Sequence, residues 1–238
     1  MKNILTLLIA TLLWWPVNVQ AQLRSPNIRS KKIAFTFDAC MTRGMLRNLE
    51  SGMEKSFYNS AVIEFLQHER VPATLFLTGL WAEKYEKEVR ALALDSLFEI
   101  GSHSYSHRSF VENCYSLPIL PGNEKEADIL KSQEILNKLT GKKPTLFRFP
   151  GGCYSKSDLV LVKKLGLRAV GWTLASGDAF NKNTESIVQN IMARVKPGAI
   201  VVFHLHQSHY APKTADVLKI VVPALKKQGY EFTTVSNL

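Results

Sequence analysis

Seven short runs of apolar, β-favouring residues recur along the chain, at residues 31–37, 73–79, 97–102, 145–149, 168–174, 199–204 and 231–236. Most are continuously apolar instead of alternating, the pattern of parallel strands buried on both faces. Between them lie stretches of helical period at residues 56–69, 81–94, 124–141, 155–166, 183–198 and 213–229. Three of these stop at Gly141, Gly166 and Gly229, where a left-handed C-terminal cap wants glycine. Strand alternating with helix in this way restricts the fold to a barrel of βα units or an open doubly wound sheet. There is no linker rich in Pro, Gly or Ser, no internal repeat and no low-complexity segment, so one domain is expected. Residues 39–55 and 108–124 have no clear period and are read as loops over the active face.

The N-terminus stands apart from this pattern. It reads MKNILTLLIATLLWWPVNVQAQ: one early lysine, an apolar run from Ile4 to Val17, then Val-Gln-Ala. That is the layout of a secretory signal peptide cleaved near Ala21, and the run is shorter than the roughly 20 residues a membrane-spanning helix needs. The expectation is an exported protein, periplasmic or secreted, with residues 22–238 forming the domain and no stable membrane span after cleavage. The formal charge of +10, of which Lys2 alone lies in the leader, favours anionic surroundings such as cell-wall polymers. Nucleic acid is not expected, because no helix-turn-helix, zinc-finger or RNA-binding signature occurs. Three cysteines, Cys40, Cys114 and Cys153, are too few for a disulfide scaffold. One bridge plus one buried thiol is the plain reading for an oxidising compartment, with Cys114 and Cys153 the favoured pair.

Chemistry-bearing residues collect at the strand ends. The first strand ends in Asp38, the third in His103 with His107 four residues on, and the fourth carries Arg148 before Pro-Gly-Gly. Asp178 follows the fifth, and the sixth ends in His204, with His206 and His209 beyond it. In βα folds the carboxyl ends of the strands form the active face, so segments far apart in sequence bring these groups together. Taken singly, each has a bland reading: Asp38 a turn acid, His204 a satisfied core histidine, His103 and His107 the start of a helix. On one helical turn, however, two imidazoles point the same way, as a divalent metal such as zinc requires. Arg148, set between Phe147 and Phe149, is read as pointing into the mouth of the site toward a carboxylate.

In this order, TFD (36–38), HSYSH (103–107), RFPGG (148–152), SGDA (176–179) and PGAIVVFH (197–204) resemble the five motifs of the polysaccharide deacetylases with a NodB-like domain, carbohydrate esterase family four. The resemblance runs from about Lys31 to the C-terminus. It implies an α/β fold, a single-domain distorted (β/α)7 barrel, and metal-dependent removal of acetyl groups from N-acetylated sugars. It implies further that Asp38 is the catalytic base, His103 and His107 are metal ligands, Arg148 orients the base, Asp178 tunes the catalytic histidine and His204 is the general acid. One divalent cation per chain is expected, zinc by preference. The family's third ligand, a second aspartate, is replaced here by Ala39. Water could fill that place, His206 could reach in from the face it shares with His204, or catalysis could be lost.

The expected substrate is an N-acetylated glycan: peptidoglycan first, then chitin-like oligomers or another acetylated exopolysaccharide. An O-acetyl ester is open to the same chemistry. Trp81, Trp172 and Tyr154 are candidates to stack on a sugar ring, though Trp172 lies within a strand run and reads more simply as core. Three rivals remain at this level. One is a non-catalytic glycan-binding protein that has lost the metal site with the aspartate. A second is a Ser-His-Asp hydrolase using Ser104 or Ser176, disfavoured because no Gly-x-Ser-x-Gly elbow occurs. The third is a periplasmic solute-binding protein, for which the chain has no second lobe.

Overall fold

A computed structural model describes residues 31–238; the leader ending near Ala21 lies outside the described residues. The elements alternate as the sequence suggests: β1 (Lys32–Ala39), α1 (Arg43–Glu50), α2 (Ser60–His68), β2 (Ala73–Leu77), α3 (Gly79–Lys84), α4 (Glu86–Leu94), β3 (Phe98–Ser102), α5 (Lys125–Thr140), β4 (Leu146–Phe147), α6 (Lys156–Lys164), β5 (Arg168–Ala169), β6 (Leu174–Ala175), α7 (Thr184–Arg194), β7 (Ile200–His204), α8 (Thr214–Lys227) and β8 (Glu231–Thr233). All ladders are parallel, in the order β5-β4-β3-β2-β1-β7-β6, with β8 paired to the start of β1. This is a single-domain α/β fold, a curled parallel sheet of the distorted (β/α)7 kind. No described helix is long and apolar enough to cross a membrane.

β1 shows how the strand period sorts the chain. Ile33, Phe35, Phe37 and Ala39 enter the largest core, shared with α2, α4, α7 and α8. Phe35 and Phe37 pack against Phe203 of β7 at 5.1 and 5.4 Å between ring centroids, and each such buried side chain contributes roughly 1.5–3 kcal/mol. The alternate residues Thr36 and Asp38 look the other way, toward Arg148. Successive side chains of a strand take opposite faces, so one strand both anchors the core and delivers an acid to the site.

Four elements differ from the sequence reading. The run at 168–174 is two strands: β5 bonds β4, β6 bonds β7, and the sheet is open between them. At the break, Arg148 Nε and Nη2 donate to the carbonyls of Val170 and Gly171 at 3.3 and 2.9 Å, groups that a continuous strand would use in its ladder. Within residues 39–55, read as irregular, α1 forms; its Thr42 cap accepts from the Met45 N–H, Met45 is buried and Leu46 and Leu49 pack partly on the core, a stripe confined to one short, otherwise polar helix. The 81–94 helix is two helices separated at Tyr85, whose hydroxyl accepts from the Phe57 N–H. Finally, residues 103–107 are not helical. Ser104 and His107 have φ of 66° and 54°, in the left-handed region that no right-handed helix contains.

Candidate active site

That non-helical loop is held from two sides. Asp128 of α5 accepts from the Tyr105 N–H at 2.8 Å and from the Ser106 hydroxyl at 3.0 Å. The carbonyls of Ser104 and Tyr105 accept from the N–H groups of Gly79 and Leu80 at 3.0 Å each. A Cβ on Gly79 would stand 2.5 Å from the Tyr105 ring, so glycine is what permits the approach. The result sets the rings of His103 and His107 4.9 Å apart, edge to face. The two rings come together, as the four-residue spacing suggests, but on a left-handed loop instead of a helical turn.

His103 is 1% exposed. Its Nδ1 donates to the Arg148 carbonyl at 2.8 Å, which leaves Nε2 as the lone-pair nitrogen. That Nε2 is buried with no hydrogen-bond partner and lies 3.6 Å from the Asp38 carboxylate. Burial pushes both His103 and His107 below the ordinary imidazole value, so at neutral pH both present free lone pairs.

Asp38 is fixed by Arg148, whose Nη1 donates to its carboxylate at 2.8 Å and to Thr36 Oγ1 at 2.8 Å. The guanidinium lies 4.1 Å from the Phe76 ring and 5.6 Å from that of Trp172. Arg148 is fully buried yet uses three of its nitrogens, so the cost of desolvating it is met by hydrogen bonds and a charge partner. Burial alone would raise the Asp38 carboxyl, but Arg148, followed by His103 and His204, holds it below the usual carboxylate value.

His204 stands beside Asp38 in the sheet, since the two are register partners across β1 and β7. Asp178 takes the His204 N–H on one oxygen and its Nδ1 on the other, each at 2.8 Å. The hydroxyls of Thr214 and Ser176 also donate to Asp178, at 2.8 and 3.0 Å. Burial would depress His204, but the Asp178 carboxylate outweighs it and raises the imidazole. His206 lies next to His204, with ring centroids 6.1 Å apart, and burial pushes it down to about 3. His209 is on the surface, paired with Glu54 at 2.7 Å.

A third potential ligand appears in Cys40, the cysteine left as the buried thiol once Cys114 is paired with Cys153. Donor atoms of Cys40, His103 and His107 all lie within 4.8 Å of one another, and His206 is outside this group. Cys40 is 5% exposed and free, whereas Cys114 and Cys153 are bonded to each other, as the sequence favoured. Burial, then the charges of Asp38 and Asp178, raise its thiol. The signal was available: Cys40 lies two residues past Asp38, as His206 lies two past His204. Sulfur and imidazole nitrogen are divalent-metal donors, and the partnerless Nε2 of buried His103 is what such an ion would satisfy, so these residues fit a cation.

Around the site, Trp81 is fully buried and donates Nε1–H to the Phe57 carbonyl, which removes it from any sugar contact. Trp172 is half-buried and packs across Gly152, where a Cβ would stand 2.4 Å from its ring. Tyr154 is half-buried and stacks on Phe149 at 4.6 Å. The exposed aromatic pair is one the sequence did not single out: Tyr115, 67% exposed, stacks with Phe180, 83% exposed, at 6.0 Å. The first adjoins the Cys114–Cys153 bridge and the second follows Asp178 by two residues.

The family model described as polysaccharide deacetylase matches residues 26–170. A peptidoglycan-N-acetylglucosamine deacetylase of Bacillus cereus is 32% identical over 184 residues, which are 76% of this chain and 81% of that protein. Among solved structures, the Bc1960 peptidoglycan N-acetylglucosamine deacetylase superposes with a TM-score of 0.75 and 25% identity, over 89% of each chain. BA3943, a CE4 family pseudoenzyme from Bacillus anthracis, shares the fold with a TM-score of 0.71 and 22% identity, over 89% of this chain and 66% of its own.

Proposed function

The chain belongs to the polysaccharide deacetylase family, and from that premise we propose that it is an exported, metal-dependent enzyme that hydrolyses the N-acetyl amide of an N-acetylated glycan, with Asp38 as base and His204 as acid. The observation that carries this reading is the side-by-side placement of two complete, oppositely tuned pairs. Asp38 is kept ionised by Arg148 and His204 is kept protonatable by Asp178, on register partners of adjacent strands. Groups whose environments push their pKa values apart are how a protein divides base and acid roles.

His103 and His107 would hold a divalent cation, zinc by preference, which when bound supplies Lewis-acid polarisation of the acetyl carbonyl and acidifies a nearby water. The Asp38 carboxylate accepts the proton of the attacking water. Arg148 holds that carboxylate in one orientation and keeps it charged, because an unpaired acid this deeply buried would protonate. On collapse of the tetrahedral adduct, the C–N bond breaks and His204 delivers a proton to the departing nitrogen, which would otherwise be a poor leaving group. Acetate and a free amino sugar result. The same groups would cleave an O-acetyl ester, but an ester leaving group has less need of the Asp178–His204 acid.

Peptidoglycan is the favoured glycan, supported by the basic charge of +10 and by the activity named for the Bacillus cereus relative. Tyr115 and Phe180 offer the exposed ring faces on which a sugar could stack. Export after cleavage near Ala21 fits such a substrate. A purely glycan-binding role, raised by Ala39, gives no use to the buried Asp178–His204 pair.

The test is acetate release from N-acetylated peptidoglycan and chitin oligomers by the wild-type protein and by Asp38→Asn. The variant should lose turnover while keeping its circular dichroism spectrum. Near-normal acetate release from Asp38→Asn would sink the assignment of the base.

A further inference from the structure

We infer that Cys40 supplies a thiolate as the third protein ligand of the cation, so that this chain carries a Cys-His-His site where its family resemblance leads one to expect an aspartate. The inference rests on the deacetylase reading only in placing a cation between His103 and His107.

The residue at the expected position cannot serve. Ala39 has no donor, is fully buried, and faces the large core on the side of β1 opposite Asp38. Cys40 falls back on the Asp38 side and comes within 4.8 Å of both histidine donors. Ligands of one tetrahedral ion sit about 3.5 Å from each other when metal–ligand bonds are 2.0–2.3 Å; the three donors, each within 4.8 Å of the others, would have to draw in by no more than about 1.3 Å to meet that spacing. His103 is already committed in the right sense, with Nδ1 spent on the Arg148 carbonyl and Nε2 left without a partner. His206, the sequence's own candidate for the vacancy, lies beside His204 and outside the group.

Two further features agree. Cys114 and Cys153 satisfy each other, so Cys40 stays a thiol even where cysteines are oxidised, and its burial shields it from thiol exchange. On coordination the thiol gives up its proton to solvent, and the resulting thiolate carries the same single negative charge as the family's aspartate, so the charge balance with Asp38 and Arg148 is kept. What changes is softness. Sulfur favours zinc, cobalt and cadmium over magnesium, calcium and manganese, and three protein ligands leave a position open for water or substrate.

The inference is tested by titrating cobalt(II) into metal-free, full-length protein and recording its absorption, beside Cys40→Ala, Cys40→Asp and His103→Ala, with circular dichroism as the control for folding. The wild-type should take up one equivalent with an intense sulfur-to-cobalt charge-transfer band in the near ultraviolet. Cys40→Ala should lose that band and bind more weakly by more than the roughly 10–100-fold typical of losing a supporting residue. Cys40→Asp should bind without the band and with a narrower preference for cobalt over magnesium. Uptake by the wild-type with no charge-transfer band, and equal uptake by Cys40→Ala, would overturn the role of Cys40 while leaving a cation on the histidines. Failure of the wild-type to bind, or binding unchanged in His103→Ala, would overturn the cation reading itself, and this inference with it.

Discussion

Asp178 grips His204 twice, taking its backbone N–H on one carboxylate oxygen and its Nδ1 on the other, each at 2.8 Å. The double contact fixes the ring and its protonation together. Because the folded-state value of His204 is raised, the acid form persists to higher pH than in an ordinary imidazole and is lost as pH rises through that raised value. Asp178→Asn removes the charge that opposes burial. The alkaline limb of kcat should then move to lower pH, and kcat at neutral pH should fall by about 10²-fold or more, within the range general acids contribute. A pH profile of acetate release checks this; an unmoved alkaline limb would rule out His204 as the titrating acid.

Arg148→Met leaves the Asp38 carboxylate buried without its partner. Breaking a buried pair in this way costs about 3–5 kcal/mol, to be read from denaturant unfolding near pH 7. The sign follows from the lowered Asp38 value: its stabilising contribution is present above the ordinary carboxylate pKa and fades as pH falls through the folded one. Without the arginine, burial raises Asp38, so the acid limb of the activity profile should shift toward neutrality.

Asp128 touches no expected ligand, yet it holds the loop that carries two of them through Tyr105 and Ser106. Asp128→Ala should weaken cation affinity roughly 10–100-fold, as loss of a residue that orients metal ligands does. Competition with a chelator of known affinity measures this, and unchanged affinity would show that the loop holds its shape without the carboxylate.

Among the described residues, the Tyr115–Phe180 stack is the most exposed aromatic pair, with Phe180 two residues from Asp178. If sugar rings pack there, Phe180→Ala should raise KM for glycan oligomers while kcat is kept. An aromatic contact worth about 0.5–1.5 kcal/mol predicts a 2- to 10-fold effect. Equal KM values for wild-type and variant on long oligomers would remove this pair from the binding surface.

Much of the molecule was legible in its residues. Continuously apolar runs alternating with helical period specify a parallel βα fold whatever the details, since only strands covered on both faces read that way. The strand-end rule gathers Asp38, His103, Arg148, Asp178 and His204, because the carboxyl ends of parallel strands share one face. The structure brings all five together, along with His107. Helix α1 is hard to read because it is short and polar: Met45, Leu46 and Leu49 pack on the core, but in only eight residues they stand among Arg43, Arg47, Asn48 and Glu50.

Local periodicity determines which face of its own element a side chain takes. It does not determine what that side chain meets, because partners come from segments that only closure of the sheet makes neighbours. Where one apolar run divides into β5 and β6, Arg148 donates to the carbonyls of Val170 and Gly171, some 22 residues away in sequence. The left-handed turn at Ser104 and His107 is imposed by Asp128 and Gly79 from two other elements. Cys40 next to His103 and His107 is the same kind of fact. The sequence set the fold and the identities of the reactive groups through the periods of strand and helix; tertiary packing alone decided their contacts, because those depend on distances between elements that no local pattern encodes.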